Sequence, residues 1–206
     1  MPSAAQPTLL IFGAGGHGRV VADAAIAQGT WGRVIATDRN PAKCRGELLP
    51  GVALAAIEAL EPYQAVHVAI GDARSREREA AAAGAPLATV VHPRASVSAH
   101  AIVGDGTLVA AQAVLAPTSQ VGTAVIVNHG AVVDHDAEAG DFSHLGPLSA
   151  LGGAARVGRR VLLGSGAKVL PGVSVCDDVT IGAGAVVAAN ITEPGVYAGV
   201  PARRLR

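Results

Sequence analysis

From Val91 to Thr192 apolar residues recur at every sixth position without a slip. Of the seventeen residues that open a hexad, sixteen are Val, Leu or Ile, from Val91 through Leu115, Leu145 and Leu163 to Val187, and the other is Ala139. The fifth position holds only Ala, Ser, Thr, Val or Ile, as at Ala95, Thr107, Ser143, Val161 and Ala185. Gly often takes the second, as at Gly104, Gly122, Gly146, Gly158, Gly164 and Gly182. A period of six with one large and one small inward side chain matches neither an α-helix nor a flat strand. It predicts a solenoid of short strands and tight turns, with the glycines supplying positive φ. An evenly spaced β-sandwich would not hold one register across seventeen hexads.

The first ninety residues follow a different rhythm. Met1 to Pro7 reads as a loose leader. Thr8 to Phe12 is a short apolar run that ends in Gly13-Ala14-Gly15-Gly16-His17-Gly18. A helical pattern follows, with Val20, Val21, Ala24 and Ala25 inward and Gly29 at its end. Val34 to Thr37 predicts a second strand closed by Asp38, Gly46 to Pro50 a turn, and Ala53 to Leu60 a short helix. Ala65 to Ile70 predicts a third strand, ending in Gly71-Asp72. Arg74 to Ala83 predicts a helix charged on one face, and Leu87 to Val90 a fourth strand that runs straight into the hexads. Alternating strands and helices imply a parallel sheet of the Rossmann type over 1–90, and the hexads with a C-terminal tail fill 91–206. With no flexible linker between them, the two parts are expected to sit rigidly together.

Gly13-x-Gly15-x-x-Gly18, after a strand and before a helix, with Asp38 twenty residues beyond Gly18, matches the dinucleotide fingerprint. A dinucleotide needs two mononucleotide halves, and the hexads begin where the second would start. A single nucleoside diphosphate is therefore expected, its phosphates on the glycine loop and helix N-terminus and Asp38 at the ribose or base. The glycines alone would also serve a tight strand-to-helix turn. A small NAD-dependent oxidoreductase is disfavoured by the half-sized domain.

Composition narrows the classes. Formal net charge is zero, so no basic stripe points to nucleic acid or to an anionic membrane surface. The two cysteines, Cys44 and Cys176, have no metal or redox spacing, which suggests a reduced cytoplasmic protein. No stretch has the length of a membrane span. Five aromatic residues in all suit a narrow prism filled by Val, Leu and Ala.

The hexads resemble the hexapeptide-repeat acyltransferases, whose repeat forms a left-handed parallel β-helix with three hexads per coil. The handedness comes from that resemblance, since it departs from the usual right-handed crossover. Just under six coils give a prism roughly 27 Å tall at a strand spacing of about 4.8 Å. The stretches IFGAGGHGRVVAD, VAIGDARSR, VVDHDAEAGDFSHLG and GVYAGVPARRL are similar to the sialic-acid O-acetyltransferase and nucleotide-amino-sugar N-acetyltransferase subfamily. The resemblance implies a nucleotide sugar on the first domain, where Gly13, Gly15, Gly16, His17, Gly18, Asp38, Gly71 and Asp72 are the expected contacts. It also implies acetyl-CoA as co-substrate, bound between adjacent subunits of a homotrimer; the transfer requires no metal, and the sequence suggests none.

Acetyl transfer from a thioester to an amine needs a base for the amine proton and donors for the developing oxyanion. His135, between Asp134 and Asp136, has carboxylates at hand to fix its tautomer and raise its basicity. The family pattern assigns His135 as base, Asp136 as its orienting acid, and His144 to the acetyl group. Eighteen residues make a coil, so Gly153 stacks on His135, at the family's acetyl-contacting glycine. Pro147, Ser165 and Ala183 form a second stack, whose small residues leave room for the pantetheine arm. His92, His100 and His129 are taken as solvated surface histidines. The unbroken register leaves no loop to shape an acceptor pocket, so the first domain must supply one, with a neighbouring subunit's base. N-acetylation of a nucleotide-linked amino sugar is expected. O-acetylation of a sugar such as sialic acid is the alternative, and a non-catalytic sugar-nucleotide or CoA sensor is a third reading.

Overall fold

The computed structural model describes residues 7–60 and 62–205. All but the last residue of the expected leader lies outside the described residues. Strand β1 (Thr8–Phe12) leads through the glycine loop to helix α1 (Gly16–Gln28), which ends at Gly29 in a left-handed C-cap. Strands β2 (Arg33–Thr37) and β5 (Ala65–Val68) lie parallel on either side of β1.

Between them stand β3 (Glu47–Leu49) and β4 (Val52–Leu54), an antiparallel hairpin whose second strand pairs parallel with β2. The expected helix at Ala53–Leu60 is therefore replaced by β4 and a single 3₁₀ turn, Ile57–Ala59. A helix there would have left the outer edge of β2 without partners, and the hairpin satisfies that edge. Helix α2 (Ala73–Ala81) is N-capped by Asp72, whose side chain accepts the Ser75 N–H. The expected fourth strand splits. Leu87 makes an isolated bridge to Val66, and Val90–Val91 already pairs with Leu108–Val109 of the solenoid.

The hexads form three parallel sheets in which residue i pairs with i+18, as Val114 with Val132 and Leu115 with Val133. One face runs from Val90–Val91 through Ile126–Val127 and His144–Leu145 to Val179–Ile181, and the C-terminal strands Gly195–Ala198 and Arg203–Arg204 extend it. The prism is a left-handed β-helix, and its core is the column of first and fifth hexad residues. The second-position glycines do not carry the positive φ. Left-handed backbone falls instead at the fourth position, at nine non-glycine residues that include Gln112, Asp136, Phe142 and Arg160. The second-position glycine answers a close approach: a Cβ on Gly104 would stand 2.5 Å from the backbone of Gly122 in the next coil.

A buried cluster distinct from the solenoid interior joins the two halves. Val90, Leu108 and Ile126 occupy the outward sixth position of one face, yet each is at most 1% exposed, because α1 and β3 cover them. Among the described residues, no helix is long and apolar enough to cross a membrane.

Candidate active site

The carboxyl ends of β1, β2 and β5 open into a cavity of about 410 Å³, where a parallel sheet places its ligands. Gly13, Gly15, Gly16, His17, Asp38 and Gly71 line it. Gly15 stands at the N-cap of α1 and has no capping side chain, which leaves the positive end of the helix to a ligand. Gly18 does not line the cavity. A Cβ there would fall 2.0 Å from the Gly13 carbonyl oxygen, so this glycine permits the tight loop rather than touching a ligand. Asp72 is likewise engaged, as the α2 cap, and lines a neighbouring cavity.

Asp38 accepts the N–H of Ala14 at Oδ2 and of Asn40 at Oδ1, both at 2.9 Å. Its carboxyl is held below the ordinary range by these bonds and by Lys43, against the opposing effect of desolvation. Its first task is thus to pin the glycine loop to the end of β2. Sequence reasoning passed over Arg39, Lys43 and Arg78 on the cavity wall. Arg39 and Arg78 both pair with Glu79, while Lys43 stands 3.6 Å from Asp38. The signal was available in Asp38-Arg39-Asn40-Pro41-Ala42-Lys43, a basic turn directly after the strand.

His17 leans from the glycine loop towards the solenoid, its ring 6.2 Å from that of His144. Its buried Nε2 has no hydrogen-bond partner among the described residues. Burial first, then the neighbouring His67, His144, Arg76 and His129, push its pKa down to about 3. His144 is lowered to about 4, first by burial and then by Arg76. The Asn128 amide is oriented by its Oδ1, which accepts the His129 N–H, so its Nδ2 donates to His144 Nε2 at 3.2 Å. The proton of neutral His144 must then sit on Nδ1.

His135 lies elsewhere. It follows the Val132–Val133 strand at a vertex of the prism, and that vertex is opposite the face that carries His144. Its Nδ1 is 2.9 Å from Asp136 Oδ2, and the other carboxylate oxygen accepts from Thr118 Oγ1 at 2.7 Å. Thr118 is one coil away and was missed, although the eighteen-residue stack points to it. The bond to Asp136, followed by the charge of Asp134, raises the His135 pKa, while Asp136 is lowered, first by His135. Gly153 stacks on the ring: a Cβ there would be 2.6 Å from His135 Nε2. Ser165 and Ala183 occupy a different vertex, in the stack of His129 and Pro147. One chain therefore brings together His135, Asp136 and Gly153 in one place and the glycine loop, His17, Gly71 and His144 in another. Among the described residues, no group of three or more His, Cys, Asp or Glu is placed to hold a metal ion.

Residues 8–82 match the model of the PglD N-terminal domain, and residues 154–189 match the bacterial transferase hexapeptide repeats. The acetyltransferase domain of PglB from Neisseria gonorrhoeae FA1090 is 37% identical over 97% of this chain and 100% of its own, with a TM-score of 0.89. PerB from Caulobacter crescentus, solved with CoA and GDP-perosamine, is 37% identical over 98% of this chain and 99% of its own, with a TM-score of 0.86. WeeI from Acinetobacter baumannii AYE, 20% identical over 96% of this chain and 99% of its own at a TM-score of 0.84, shares the fold. A glycine-loop α/β domain joined without a break to a hexapeptide β-helix, and relatives matched from end to end, make this chain a member of the hexapeptide-repeat sugar acetyltransferases and itself an acetyltransferase.

Proposed function

We propose that the protein transfers the acetyl group of acetyl-CoA to the amino group of a nucleotide-linked amino sugar, in the cytoplasm. One observation carries the acceptor side. The cavity at the uncapped α1 N-terminus suits a nucleoside diphosphate, and His17, 6.2 Å from His144, takes its inner wall to the β-helix. The PglB domain has been solved with acetyl coenzyme A and PerB with GDP-perosamine, which supports both substrates. On this reading residues 1–90 hold the acceptor and 91–206 the donor.

His135 is the proposed general base. As the amine nitrogen bonds to the thioester carbonyl carbon, neutral Nε2 takes the nitrogen's proton. Collapse of the tetrahedral intermediate breaks the C–S bond, and the departing thiolate takes that proton back from His135 Nε2, which leaves the base neutral again. Asp136 holds the proton of neutral His135 on Nδ1 and so leaves Nε2 free to accept. Gly153 and His144 are the proposed contacts of the acetyl group, and Ser165 and Ala183 border the pantetheine arm. Because His135 and the acceptor cavity of one chain are on opposite sides of the prism, the partner subunit's His135 must complete the site. A closed homotrimer meets that need.

The test is a panel of UDP-, GDP-, dTDP- and CMP-linked amino sugars and their unaminated counterparts, with thiol release and product mass as readouts. One or more amino sugars should yield an N-acetyl product. Acetylation of hydroxyl sugars alone would overturn the reading in favour of O-transfer, and light scattering of a fully active monomer would overturn the shared site.

A further inference from the structure

Arg76 is 1% exposed and has no carboxylate within ion-pair distance among the described residues. All five N–H groups of its guanidinium nevertheless donate to carbonyl oxygens. Nε donates to Ala124 (2.8 Å), Nη1 to Ile70 (2.7 Å) and Gly71 (2.9 Å), and Nη2 to Phe142 and to Ser143 (3.2 Å). A buried cation is costly unless it is fully hydrogen-bonded, and this set of acceptors is specific to a planar fork with five donors. The five carbonyls belong to two structures. Ile70 and Gly71 form a wall of the acceptor cavity, and Phe142 and Ser143 lead directly into the strand that carries His144. Gly71 is the meeting point, since its carbonyl takes a bond from Arg76 and it lines, together with His144, the adjoining cavity.

We infer that Arg76 is a positioning residue that holds His144, in its Nδ1–H form, in register with the Ile70–Gly71 wall of the acceptor cavity. The inference concerns the geometry of His144. Only its consequence for the acceptor rests on the reading of the cavity given above. The fixed register matters because the acceptor is held by one domain while the acetyl group is held by the other. The positive charge has a second effect, which is to oppose protonation of both His144 and His17. The other groups facing His144 are His17 and, around the adjoining cavity, Asp72, Arg74, Arg160 and Asp178. Both carboxylates there are already committed, Asp72 to the α2 N-terminus and Asp178 to Arg74 and Arg160.

Imidazole nitrogen NMR of the wild type tests the geometry without any substitution. His144 should show the Nδ1–H tautomer and stay neutral down to about pH 5, since its pKa is near 4. An Nε2–H tautomer, or titration near 6.5, overturns the proposal. Arg76→Lys keeps the charge but has three donors for five carbonyls. It should weaken nucleotide-sugar binding about tenfold and leave the affinity for free CoA, which lacks the acetyl group, unchanged. Arg76→Gln removes the charge as well, so His144 should titrate at higher pH than in the lysine variant. Folded variants in which both affinities hold, or fall together, overturn it. If the wild type binds no nucleotide sugar, the acceptor reading fails, and the His144 tautomer alone decides the present inference.

Discussion

Gly153→Ala is the substitution whose effect follows most directly from the geometry. The added Cβ would lie 2.6 Å from Nε2 and 2.7 Å from Cε1 of His135, where ordinary contact begins near 3.4 Å. The imidazole must retreat by about 0.8 Å. Gly153 has no positive φ, so alanine fits its backbone, and the His135 side chain is 62% exposed, so it can swing outward without opening a cavity. Stability should therefore change by no more than about 0.5 kcal/mol. A base displaced by about an ångström from its proton loses about 10² in kcat, inside the range of about 10² to 10⁴ expected for removal of the base by His135→Ala. Steady-state kinetics with acetyl-CoA and the amino-sugar acceptor, with circular dichroism as a check on folding, measure it. The double variant separates the causes. If Gly153→Ala acts through His135, it should cost almost nothing more in the His135→Ala background. A folded Gly153→Ala enzyme within twofold of wild type would refute the stacking argument, and a folded His135→Ala enzyme at full rate would refute the base itself.

The remaining predictions concern charge, loop geometry and pH. Because Asp136 raises the His135 pKa, the acid limb of log kcat/KM should lie above 6.5, with activity lost as pH falls through it; Asp136→Asn, which tolerates the left-handed backbone at φ 59°, should move that limb down. Thr118→Val should move it in the direction that follows from a less restrained Asp136, with kcat reduced less than in His135→Ala; an unchanged profile and rate would show that the Thr118 bond does not matter. Gly15→Val should fold normally, since no described atom lies within 4 Å of its added Cβ, and lose acceptor binding by calorimetry, whereas Gly18→Ala should destabilise the loop itself. His17, His67 and His144 have pKa values lowered from 6.5 to about 3, 4 and 4, so the unfolded chain takes up protons before the folded one does. Stability should be full above 6.5 and fall as pH drops towards about 4, by up to about 1.4 kcal/mol per unit for each histidine. His135, whose pKa is raised, works in the opposite sense. Equal denaturant midpoints at pH 7.5 and 5 would contradict it.

What the sequence determined by itself is whatever repeats over short range. The hexad period specifies the solenoid because every coil meets the next through the same i to i+18 contacts, and the same rule stacks Gly153 on His135. The glycine loop reads directly as well, since its turn is local. The reason for the second-position glycines was misread: left-handed backbone at the fourth position is borne by Asp136, Phe142 and other non-glycines, and only the neighbouring coil shows why a Cβ is excluded at Gly104. The stretch Ala53–Leu60 has helical composition, but the unpaired edge of β2 outweighs that preference. Val90, Leu108 and Ile126, eighteen apart and outward, were a legible sign of a covered face that the hexad pattern obscured.

Tertiary structure alone decided which vertex carries His135, that His17 meets His144, and that Arg76 is an internal rivet rather than part of a charged surface. The reason is physical. These contacts join residues far apart in the chain, 66 apart for Arg76 and Phe142, and most of the partners are backbone carbonyls, which every residue possesses and no sequence pattern distinguishes.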